Sequence, residues 1–155
     1  KRDAMTHQPS EAQAEAVSMK RPTAVTILIV LTALFVWRAS AFFNLASVGV
    51  PPDGAPESWF IPLLGDGLVG TAAIIMAIVL WRRQTAGVWL AAVIVHIIAL
   101  WDLVMSAVNA IREPWETSEF ADVIWFVFGF AFLISVVSFY LLSRRDVRDY
   151  YHVKN

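Results

Sequence analysis

The stretch Val88 to Asn109, VWLAAVIVHIIALWDLVMSAVN, limits what this chain can become more than any other. It is apolar and long enough to cross a bilayer, yet it holds His96 in its middle and Asp102, Ser106 and Asn109 further along. Hydrocarbon penalises such groups, an isolated charge at a helix centre costing about 2.5–3.5 kcal/mol, so each needs a partner, a water-filled space or a function. Three more apolar runs accompany it. The chain therefore reads as an all-α integral membrane protein, a four-transmembrane-helix bundle with spans of about 22–44, 59–81, 86–110 and 119–142. Each span has about 23 residues, roughly 35 Å of helix, enough for a hydrocarbon core of about 30 Å.

Composition supports that class. Hydrophobic residues make up 58% of the 155 and charged residues 16%, too apolar a balance for an ordinary soluble domain. No basic patch with interleaved aromatics is present, so nucleic acid is excluded as a partner. The absence of cysteine rules out disulfides, iron–sulfur clusters and thiol catalysis.

The polar segments punctuate the spans. Residues 1–21 read as a flexible cytoplasmic tail in which Met5 and Met19 are both candidate starts, ending at Lys20-Arg21. Pro22 suits a first helical position, where its missing N–H costs nothing. The basic pair, the apolar run and Ala39-Ser40-Ala41 also mimic a secretory signal with its cleavage site; we read the run as a retained span. Leu45 to Ser58, broken by Pro51-Pro52-Asp53-Gly54, reads as a turn-rich loop, Arg82 to Thr85 as a tight link, and Ile111 to Ser118 as a second short loop. Residues 144–155 read as a charged cytoplasmic tail.

Charge sets the expected orientation. Lys20, Arg21, Arg82, Arg83, Arg144, Arg145, Arg148 and Lys154 fall on one side of four alternating spans, whereas the other side has Arg112 against Asp53, Glu57, Glu113, Glu116 and Glu119. The positive-inside rule predicts both termini in the cytoplasm, as in a bacterial inner membrane. Trp59, Trp115 and Trp125 at one face, and Trp81, Trp89 and Tyr140 at the other, are expected interfacial anchors. Trp37-Arg38 with Asn44, set beside Trp101-Asp102 with Asn109, suggests a duplicated hairpin; any two hairpins obeying the charge rule would look alike, which is the preferred explanation.

Depth can be counted along the helices. Arg38 lies 17 positions after Arg21, Asp66 lies 16 before Arg82 and Asp102 lies 17 after Thr85. All three then sit roughly 25 Å from the basic face. One cation and two anions at one level predict ion pairing, although Arg38 has a stem long enough to snorkel outward instead. A paired buried charge can also be purely architectural. Asp66, Gly70, Ala73 and Ala77 form a small-residue stripe expected to face the third span, on which Asp102, Ser106 and Asn109 share a face above Ala99. GDGLVG at Gly65 to Gly70 spells a dinucleotide-binding pattern, but no strand precedes it, and close helix packing explains the glycines better.

His96 sits near the expected midplane. A bis-imidazole haem would need a second intramembrane histidine, and His7 and His152 lie in the tails; no cofactor and no metal is predicted. The preferred reading is a neutral histidine bonded to a neighbouring helix, and the functional alternative is a proton-accepting step toward the acidic pair. Glu119 and Asp122 read as helix-start charges on the fourth span, whose Phe126, Phe128, Phe130, Phe132 and Phe139 are expected against lipid.

Three classes of function remain. The leading one is a polar pocket in the outer half of the bundle, with Arg38, Asp66, Asp102, Asn109, His96 and Ser106 as ligand- or ion-binding candidates. It would bind a small or lipid-like molecule, or pass a proton or ion. The second is an accessory subunit held together by its buried charges, for which a membrane-protein partner or a second copy is the expected contact. The third, an enzyme using Asp66 and Asp102 as acid and base, lacks an accompanying nucleophile or metal-ligand set.

Overall fold

A computed structural model describes residues 21–50, 54–115 and 123–152, and every regular element among them is helical. Four helices are long and apolar enough to cross a membrane: α1 (Thr23–Leu45), α2 (Glu57–Arg82), α3 (Ala86–Arg112) and α4 (Ile124–Ser143). A short helix, α5 (Arg145–Tyr150), follows. Outside the described residues lie most of the N-terminal tail, Pro51 to Asp53, the expected fourth-span start at Glu119 and Asp122, and residues 153–155.

Local chemistry sets the ends. Pro22 is the residue just before α1 rather than its first, and its carbonyl accepts the Val25 amide at 3.0 Å. Thr85 caps α3, its hydroxyl accepting from the Val88 amide. At its far end α3 runs on to Arg112, so Ile111 and Arg112 are helical rather than looped; the first strong breaker on that side is Pro114. The backbone of α1 is not uniform. Thr23–Leu34 is α-helical, Phe35–Ser40 tightens into a 3-10 helix, and Ala41–Leu45 returns to α. No such break occurs in α3, so the suggested equivalence of Arg38 and Asp102 is not repeated in the backbone.

The three-residue link from Arg83 to Thr85 makes α2 and α3 antiparallel neighbours; α1 packs on α2, α3 on α4, and α4 closes back on α1. Three apolar layers fill the interior. At the end bearing Arg21, Arg82 and Arg144, Val25, Leu28, Leu80 and Leu142 pack together. Phe35, Ala73, Leu103 and Ile134 form the middle layer, and Ala41, Trp59, Leu63 and Ile124 the far one. Trp59 is thus 4% exposed, a core residue rather than an interfacial anchor. Outward faces are strongly apolar: Phe43 is 85% exposed, Phe126 75% and Ile61 70%. So much exposed apolar surface suits lipid and would be a liability in water.

Beyond α4 the chain does not trail away. Val147, Tyr150 and Tyr151 of the α5 region are buried in the basic-end layer. Tyr151 donates to the Leu80 carbonyl at 3.0 Å, and Gln84 donates to the Tyr150 hydroxyl at 2.7 Å. Arg21 donates to the Trp81 carbonyl and lies 3.9 Å above that indole. Burial, with Tyr150 alongside, pushes the Tyr151 hydroxyl well above its ordinary pKa.

Candidate functional site

The polar centre of the bundle is built on Arg38, carried by the 3-10 turn of α1 and only 2% exposed. Its Nε donates to Asp66 Oδ1 at 2.5 Å, its Nη1 to the Ala99 carbonyl at 3.1 Å, and its Nη2 to Asp102 Oδ2 at 2.5 Å. Nη2 also contacts Asp66 Oδ1. The guanidinium therefore spans from α1 to α2 and α3, and it does not snorkel. Its planar fork of donors matches this task, which a single-point ammonium would not. With both carboxylates ionised the triad carries one negative charge in excess.

Three glycines of α2 make the approach possible. A β-carbon on Gly70 would fall 2.1 Å from the Ala39 backbone nitrogen, one on Gly65 1.9 Å from Asp102 Oδ1, and one on Gly67 2.5 Å from the Phe42 ring. This corrects the expected facing of the small-residue stripe. Gly70 packs against α1, and the contact with α3 at this level runs through Gly65 instead. Helices approach most closely where side chains vanish, and GDGLVG places those absences on both sides of Asp66.

Three spaces border the triad. A cavity of about 60 Å³ lies on the Asp66 side, lined by Trp37, Arg38, Asn44, Trp59, Trp115 and Phe128 among others. On the other side a groove of about 520 Å³ runs between α2 and α3, walled by Pro62, Gly65, Trp101, Asp102, Met105 and Asn109. A further space of about 370 Å³ shares Gly65, Leu68, Ile98 and Asp102 with it. Asp66 and Asp102 keep 22% and 15% of their side chains exposed, against 1% for Arg38.

The remaining candidates divide. Asn109 lines the groove with Asp102, and its Nδ2 has no hydrogen-bond partner among the described residues. Ser106 is 1% exposed inside the bundle, its hydroxyl likewise unpartnered, and it makes no bond to the triad. His96 is fully buried and separate. Its Nδ1 lies 2.8 Å from the Ala92 carbonyl of its own helix, not of a neighbouring one, and is the protonated nitrogen if it donates there. Phe35 neighbours both His96 and Arg38, its ring centroid 5.9 Å from the imidazole and 5.8 Å from the guanidinium carbon. Phe139 packs on the imidazole at 6.2 Å. Two features of the site escaped sequence reasoning: the Ala99 carbonyl, because backbone acceptors leave no trace in residue type, and the three indoles around Asp66, because Trp59 and Trp115 resembled lipid anchors.

Four helices of membrane-crossing length and hydropathy, in a fold that is all-helical among the described residues, are compatible with a small multi-pass membrane protein. In comparisons with known proteins it matches no family model, no curated protein and no solved structure.

Proposed function

We propose that this is a multi-pass membrane protein, its basic end in the cytoplasm, that binds a small or lipid-like molecule at the Arg38–Asp66–Asp102 triad. The observation behind this reading is the double position of Asp102, which both pairs with Arg38 and walls the groove between α2 and α3. A site reached sideways from hydrocarbon, with an apolar wall and one convergent carboxylate, suits an amphiphile with its polar end inward. Purely architectural charges have no need of a groove at their edge. The nearly inaccessible guanidinium stands between groove and cavity, which supports binding over free passage of an ion.

Native mass spectrometry from a mild detergent tests the reading. Wild-type protein should retain a non-protein mass that Asp102→Asn loses while its helical circular dichroism persists. Wild-type protein without any retained mass, or equal retention by the variant, would overturn it.

A further inference from the structure

The cavity beside Asp66 differs in chemistry from the lipid-facing groove. Its walls include the rings of Trp37, Trp59, Trp115 and Phe128. Trp59 is fixed there, its Nε1 donating to the Glu113 carbonyl at 2.8 Å and its ring packed 6.1 Å from Trp115. At about 60 Å³ the space is several times the roughly 10–15 Å³ that one water requires. Charge then decides what suits it. Arg38 also lines the cavity, but each of its three side-chain nitrogens already donates to Asp66, Asp102 or the Ala99 carbonyl. With both carboxylates ionised they outweigh the one guanidinium, and the triad then favours a cation over an anion.

From this we infer that the cavity seats a compact methylated ammonium group, with Asp66 as its counter-charge and the indoles as its walls. Ring faces attract such cations, and apolar walls suit methyl groups, whereas a bare ammonium would demand three acceptors. The inference rests on the reading of the triad as a ligand-binding centre and adds, on its Asp66 side, a second seat distinct from the groove. The group could belong to a free solute or to a lipid headgroup; the chemistry recognised is the same.

The test uses the full chain in dodecyl maltoside, whose head carries no ammonium, with tetramethylammonium chloride as probe and intrinsic tryptophan fluorescence as readout. Tetramethylammonium should give a saturable change that neither sodium chloride nor neopentyl alcohol, its neutral counterpart in shape, reproduces. Affinity should fall at least tenfold in Asp66→Asn and several-fold in Trp37→Ala, the second variant serving if the first does not fold. Competition by free choline as strong as that by lysophosphatidylcholine indicates a solute, and competition by the lysolipid alone indicates a headgroup. No saturable response, an equal response to neopentyl alcohol, or unchanged affinity in the variants overturns the inference. If a retained mass sensitive to Asp102→Asn is found while tetramethylammonium gives no response, the groove reading stands and this one falls.

Discussion

Gly70 lies so close beneath Ala39 that a β-carbon added to it would meet the Ala39 backbone nitrogen at 2.1 Å. Backbone cannot step aside as a side chain can, so α1 and α2 would have to separate, and that contact sets the distance over which Arg38 reaches Asp66. Gly70→Ala should destabilise the bundle by about 1–3 kcal/mol, the usual cost of overpacking. Gly129, whose added β-carbon would meet nothing within 4 Å, provides the control: Gly129→Ala should lose no stability. Unfolding in a graded denaturing detergent compares the two.

Gly65→Ala should act differently. Its β-carbon would collide with the Asp102 carboxylate, a side chain that can turn aside only by loosening its bond to Arg38. The expected outcome is a folded protein that has lost the molecule retained by wild type, read by native mass spectrometry.

Removing the cation is the severest change. Arg38→Gln leaves Asp66 and Asp102 facing each other without a counter-charge and should cost about 3–5 kcal/mol, the penalty for breaking a buried pair. Arg38→Lys should recover part of this at most, because a single ammonium cannot reproduce the fork. The triple variant Arg38→Met, Asp66→Asn, Asp102→Asn should be more stable than Arg38→Gln. Unfolding midpoints and yield in the membrane fraction measure the series.

Replacing His96 should matter little to stability. The imidazole bonds within its own helix and otherwise packs between Phe35 and Phe139, so His96→Leu should change stability by less than about 1.5 kcal/mol. Ligand retention should be unaltered, since the imidazole's hydrogen bond goes to Ala92 and not to the triad. Loss of retention in His96→Leu would restore the proton-accepting role.

Alkali should loosen the basic end first. The pKa of Tyr151 is higher folded than unfolded, so its contribution is fully present below the unfolded value of about 10 and is lost as pH rises toward the folded one. Proteolytic release of the C-terminal residues should accelerate above pH 10. In Tyr151→Phe, which lacks the bond to the Leu80 carbonyl, release should be faster at neutral pH and independent of pH in the alkaline range.

Much of this architecture was legible in residue type. Four apolar runs of bilayer length, with breakers and basic pairs between them, leave few alternatives to four helices. Counting depth from the flanking charges brought Arg38, Asp66 and Asp102 to one level, and there they meet. Rotation about each helix axis was not legible. It decides that Gly70 faces Ala39, that Ser106 turns away from the triad and that Trp59 turns inward, and it depends on how all four helices pack together. Nor did the composition of RRDVRDYY distinguish a solvated tail from a docked helix: its charges are conspicuous, whereas the burial of Val147, Tyr150 and Tyr151 follows from the shape of the bundle's end.

The tightened turn from Phe35 to Ser40 has a mechanical corollary. Six residues in that form advance about 3 Å further and wind about 120° more than the same six in α form. Everything beyond them, Phe42 and Asn44 included, owes its phase about the helix axis to that extra winding. A relaxation of this one segment to ordinary pitch would act like a screw, drawing the tip of α1 inward while swinging it a third of a revolution.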